Sequence, residues 1–265
     1  MWFLGAGTSR SAGLPSANDI IWDLKRRYYC LEENQDIHSH DINNRAIKGK
    51  IQSYMNTHGF PQLGSPEEYS FYFDLMFKDD VQAQQKYICN LLAKDKISLT
   101  IGHRVLAALM AIDQSKVVFT TNFDEVIETA YSAVTGKNIS CFHLEGSYAA
   151  LDALNAERFP LYAKVHGDFR YRNIKNLTED LRHNDEEIQK CFLASATRFG
   201  LIVSGYSGRD DNVLSMFRTA GQQNNAFSNG LFWTVPKVSD VDPRVFEFIK
   251  FASENGVYAR LVETG

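Results

Sequence analysis

Apolar and polar positions divide the chain into three stretches of different rhythm. Met1 to Leu4 is a short continuous apolar run that meets Gly5-Ala6-Gly7, the pattern of a buried strand entering a glycine turn. Ile20, Ile21, Leu24 and Tyr28 then recur at helical spacing and predict a helix from Pro15 to Cys30. Residues from about 31 to 60 are polar, with one helix before a Gly-Phe-Pro turn. Ser65-Pro66-Glu67-Glu68 is a helix start, with Ser as N-cap, Pro in the first turn and Glu three residues on. Tyr69, Phe73, Met76 and Phe77 follow on one face, and further helices are predicted over Val81–Ala93 and Leu99–Ile112.

Beyond residue 112 the rhythm becomes alternating. Strands are predicted at Lys116–Thr121, Lys137–Phe142, Leu161–Val165, Gly200–Ser204, Leu231–Val235 and Val257–Val262. Helices are predicted between them at Asp124–Val134, Thr178–Phe199 and Asp211–Ala220, and from Asp242-Pro243 to Asn255-Gly256. Strands alternating with helices imply a parallel, doubly wound α/β sheet. The expected layout is a Rossmann-like core over 1–30 and 113–265, with a helical lobe over 31–112 inserted between the first two strands.

Composition narrows the class. A chain of 265 residues that is 44% hydrophobic and 23% charged has material for a sizeable core, which excludes wholesale disorder. Lys plus Arg is 28 against 32 Asp plus Glu, a net charge of −4 that argues against a strongly basic nucleic-acid binder. Cys30, Cys89, Cys141 and Cys191 are scattered with no C-x-x-C pair, so neither a zinc ribbon nor a disulfide framework is supported. No apolar run approaches the roughly 18–20 residues of a membrane helix, and the start lacks a basic leader. These features place the protein in the cytoplasm. A strand at the first residue is unusual, and the chain is expected to be a fragment of a longer polypeptide.

Polar residues gather where strands end. Gly5-Ala6-Gly7-Thr8-Ser9 follows the first strand, where glycines permit close backbone approach and a helix N-terminus offers N–H groups to phosphate. Arg10 stands where a dehydrogenase fingerprint needs its third glycine. Thr120-Thr121-Asn122-Phe123-Asp124 ends the second strand, Val165-His166-Gly167-Asp168 a later one, and Ser204-Gly205-Tyr206-Ser207-Gly208-Arg209-Asp210 another. In open α/β sheets such ends face the ligand. Each motif alone also has a plain structural reading: a tight turn, an N-capping Asn or Asp, a hydrogen-bonding His.

Together and in this order, the motifs resemble the sirtuins. Residues 5–15, GAGTSRSAGLP, are similar to the sirtuin cofactor loop nearly position for position, and Thr-Asn-x-Asp, His-Gly and Gly-x-Ser follow in sequence. Two departures matter. Deacylating sirtuins carry four zinc cysteines after His-Gly, whereas residues 169–198 contain Cys191 alone. They also follow the loop with Asp-Phe-Arg, where this chain has Ser16-Ala17-Asn18. With GLIVSGYSGRDD and KNLTEDL, the chain looks more like the sirtuin-like NADase domains of bacterial anti-phage systems.

The resemblance implies cleavage of the nicotinamide–ribose bond of NAD, without zinc. In that reading Asn122 orients ribose and water, Asp124 bonds the carboxamide, and His166 contacts the ribose hydroxyls and takes a proton. Gly5, Ala6, Gly7 and Ser9 cradle the diphosphate, with Gly205 and Ser207 on the adenosine side. The expected partner is a sensor or activator, a short Argonaute or a HerA-type ATPase, together with oligomerisation and no direct nucleic-acid contact. A peptide-directed deacylase or ADP-ribosyltransferase, and a non-catalytic NAD or ADP-ribose sensor, stay open on the same residues. His38, His40, His58, His143 and His183 lack supporting ligands. His103 reads as a packing or hydrogen-bonding residue. Arg209 and Asp210 pair with each other or face a subunit interface.

Overall fold

The computed structural model describes residues 1–65, 67–78, 80–143, 148–166 and 186–264. Seven strands form one all-parallel sheet in the order β3-β4-β2-β1-β5-β6-β7. They are β1 (Trp2–Leu4), β2 (Val117–Thr120), β3 (Cys141–Phe142), β4 (Leu161–Lys164), β5 (Leu201–Ser204), β6 (Leu231–Val235) and β7 (Ala259–Glu263). The described helices are α1 (Ala6–Ser11), α2 (Ala17–Glu32), α3 (Arg45–Thr57), α4 (Glu68–Phe77), α5 (Val81–Leu91), α6 (Ile101–Ala111), α7 (Val126–Thr135), α8 (Tyr148–Asn155), α9 (Glu186–Ala196), α10 (Asp211–Gly221) and α11 (Pro243–Glu254).

A parallel sheet must hide both faces, so its central strands are apolar throughout. Every residue of β2 and β4 is buried. One face packs on α8–α11, where Phe3, Phe192, Phe217 and Trp233 are fully buried and meet largely edge to face. The opposite face receives α6 and α7, whose Leu106, Met110 and Ile127 close over Leu4, Val118 and Tyr162. A separate apolar cluster joins α2–α5 through Trp22, Leu24, Ile51, Tyr72, Phe73 and Ile88. Inside it Lys25 is ion-paired to Glu68 and lies 4.8 Å from the centre of the Trp22 ring.

Several elements differ from the sequence expectation, each for a local reason. The glycine turn is itself the first turn of α1, and the next helix begins only at Ala17, because Ser16 and Asp19 close a reciprocal capping box there. Edge strand β3 is two residues long, where 137–142 is expected. α8 carries no sequence signal strong enough to stand out, yet buries Ala150, Ala153 and Leu154 under the sheet. Of the helix expected over 178–199, Glu186–Ala196 is helical, while 178–185 lie outside the described residues.

Candidate functional site

Strand order creates the site. The chain leaves β1 toward β2, and later returns to the other side of β1 as β5, so a crevice opens beyond the carboxyl ends of these strands. The turns after β1, β2, β4 and β5 all arrive there.

The β1 and β5 turns interlock through backbone. Gly5 N–H donates to Ser204 O at 2.9 Å, and Gly7 N–H to Gly205 O at 2.7 Å. A Cβ on Gly5 would lie 2.5 Å from Tyr206 Cα, and one on Gly7 2.8 Å from Gly205 Cα. Gly205 has φ +65°, and its Cβ would fall 2.5 Å from Thr8 N. Glycine is therefore required at all three by turn-on-turn contact, in addition to anything a ligand demands. Ser207 is exposed on the same turn.

Asn122 ties the β2 turn to this seam. Its Nδ2 lies 2.9 Å from Gly5 O, 3.1 Å from Thr8 Oγ1 and 2.8 Å from buried Ser9 Oγ, three acceptors for two protons. Its own N–H donates to Thr120 Oγ1 at 3.0 Å. From the far side, His103 braces the seam. Thr100 N–H donates to His103 Nδ1 at 3.0 Å, so Nε2 carries the proton and donates to Thr8 O at 2.9 Å. His103 is thus the hydrogen-bonding residue expected from sequence.

Asp124 is buried, and its Oδ1 accepts from Val126 N at 3.0 Å, opening α7. Beneath it lies Lys164, fully buried on β4, which donates to Asp124 O at 2.6 Å and pairs with Glu128 Oε1 at 2.7 Å. Tyr162 donates to the other Glu128 oxygen at 3.2 Å. Sequence reasoning passed over Lys164; its signal was a lysine between Ala163 and Val165 in an otherwise apolar strand.

His166 stands at the end of β4, with Gly167 and Asp168 outside the described residues. Its ring is 6.3 Å from that of Phe123, and its Nε2 is 3.1 Å from Asp210 Oδ2. Asp210 thus pairs with His166 rather than with Arg209, which is exposed and whose carbonyl accepts from Arg244. Burial pulls the Asp210 carboxyl upward, but the His166 partner and the N–H groups of Val213 and Asn212 outweigh it and hold it below the usual carboxylate range.

A cavity of about 340 Å³ adjoins the seam on the α6 side, lined by Leu4, Thr8, Ser204, His103, Val105 and Leu106 among others. Cys191, the lone cysteine of its stretch, is buried in the core, where burial pushes its thiol up to about 12. Among the described residues no group of three or more His, Cys, Asp or Glu is placed to hold a metal. Nor is any described helix long and apolar enough to cross a membrane.

A parallel sheet with polar turns converging on its switch point defines the doubly wound α/β proteins that bind ligands at strand ends. Residues 116–256, more than half of the chain, match the SIR2-like domain family, and the chain belongs to it. That family is one of NAD-dependent enzymes, and its domains bind NAD. The matched residues include Asn122, Asp124, His166, Gly205 and Ser207, whereas Gly5, Ala6, Gly7 and Ser9 lie before them. A comparison with curated proteins finds no match.

Proposed function

We propose that this protein is an NAD⁺ hydrolase that cleaves the nicotinamide–ribose bond to give nicotinamide and ADP-ribose. The observation that carries the reading is the placement of Asn122 and His166 at neighbouring strand ends within the SIR2-like segment. The polar groups fit NAD: an exposed Ser207 hydroxyl, the Asn122 amide oxygen and an imidazole at the crevice suit ribose and carboxamide. The scissile bond already carries a good leaving group, since nicotinamide departs neutral. The protein must then mainly orient the sugar, admit water and accept a proton. Asp124 bonds the carboxamide and the glycine turns flank the diphosphate in this scheme. The loss of the zinc cysteines favours hydrolysis over peptide deacylation.

In the cell we place the domain as the toxic effector of an anti-phage or anti-plasmid system. It would be switched on by a partner such as a short Argonaute or a HerA-type ATPase and would deplete NAD. Low basal turnover that rises on assembly is the expected signature, because an unrestrained enzyme would exhaust its host.

Asn122→Ala is expected to lower nicotinamide release by roughly a hundred- to thousandfold. His166→Ala should lose a comparable factor, and the double variant less than the product. The structure adds a second expectation. Because Asn122 braces the glycine turn, the same change should lower stability by about 1–2 kcal/mol. Unchanged nicotinamide release alongside a lowered melting temperature would make Asn122 a brace alone.

A further inference from the structure

We propose that Asp210 is the positioning residue for His166, holding its imidazole across the crevice with Nε2 protonated and Nδ1 left as the proton acceptor. The proposal rests on the hydrolase reading for its chemistry and on geometry for the pairing. β4 and β5 are separated in the sheet by β2 and β1, three interstrand steps or about 14 Å. His166 and Asp210 nevertheless meet at 3.1 Å, so the two turns reach toward one another over the ends of the central strands.

The carboxylate has little freedom to turn away. Its Oδ1 accepts from Asn212 N at 2.9 Å and Val213 N at 3.4 Å, capping α10, which leaves Oδ2 aimed at the ring. An ionised carboxylate only accepts hydrogen bonds, so the proton of a neutral ring sits on Nε2 and the lone pair on Nδ1. Among the described residues Asp210 is the charged group that faces His166. Behind it stand Arg244, paired with Asp211 at 3.2 Å and Asp242 at 3.0 Å, and the buried Tyr206 hydroxyl. Phe123 flanks the ring from the β2 turn. The His103 ring, held in the same tautomer by a backbone donor, serves the seam and lies outside this arrangement.

In the reaction, water oxygen bonds to the ribose carbon as the glycosidic bond breaks, and its electron pair leaves with nicotinamide. One water proton passes to Nδ1, giving an imidazolium that the Asp210 carboxylate stabilises, and is then released to solvent. The balance is NAD⁺ and water to nicotinamide, ADP-ribose and a proton.

The test uses ¹⁵N-histidine NMR and nicotinamide release on the full chain. Asp210→Ser keeps a capping oxygen for α10 but removes the carboxylate, and Asp210→Asn is an isosteric second variant should the first fail to fold. The wild type should show His166 protonated at Nε2, and both variants should lose that tautomer preference. The variants' kcat should fall about ten- to a hundredfold with KM for NAD within about twofold. A wild-type ring protonated at Nδ1, or wild-type kcat in both variants, overturns the inference. A wild type that releases no nicotinamide overturns the hydrolase reading instead, and the NMR result then decides the pairing by itself.

Discussion

The two sides of the crevice are built from different materials. Along the β1–β5 seam, backbone meets backbone: Gly5 and Gly7 bond to Ser204 and Gly205, with no room for a side chain between them. Across the β2–β4 side, side chains do the joining: Lys164 under the β2 turn, and His166 reaching to Asp210. A backbone seam is rigid and admits one residue type, whereas a side-chain assembly has groups whose charge and proton positions are adjustable. The lesson is that a rigid backbone seam and adjustable side-chain pairs can frame one crevice.

Lys164→Met should break this comparison most forcefully. It removes the fully buried ammonium that bonds Glu128 and the Asp124 carbonyl, a loss of about 3–5 kcal/mol in urea unfolding. If the midpoint holds, the side-chain half is not held from beneath as described. Next comes the seam. Gly205→Ala puts a methyl group 2.5 Å from Thr8 N at positive φ, and overpacking with left-handed strain should cost about 2–4 kcal/mol. Gly136 is the control: its φ is +69°, but nothing lies within 4 Å of its Cβ position. Gly136→Ala should therefore cost only about 1–2 kcal/mol, and equal losses at the two positions would mean that strain rather than turn-on-turn contact governs the seam.

The smallest effect is acid dependence. The Asp210 carboxyl is held below its ordinary value in the folded chain. Its stabilisation is therefore complete above about pH 4 and is lost as pH falls through the lower folded value. Asp210→Asn should flatten that part of the stability curve by lowering the plateau above it, and leave the acid end nearly unchanged. An acid limb of the same slope in the variant would assign the loss to other carboxylates, Asp242 beside Arg244 among them.

Much of the architecture was legible in one dimension because burial imposes periodicity. A strand covered on both faces must be apolar throughout, so KVVFT, LYAKV, GLIVS and LFWTV announce a parallel sheet. The helix start at Asp242 follows from a side chain that bonds its own next turn. The site motifs were legible for the same local reason, since each is a short run at a strand end. Other features were not. Nothing local marks Asp210 as His166's partner, because the contact spans three interstrand steps and 44 positions of sequence. Gly5 and Gly205 look like independent turns until the sheet sets β1 beside β5, and only then does each explain the other. Lys164 reads as an interruption in a strand until Glu128 and the Asp124 carbonyl close around it. The sequence by itself determined most of the elements and the polar runs at strand ends, because those depend on neighbours a few residues away. Which turns meet, and which side chains pair across them, was decided by strand order in space.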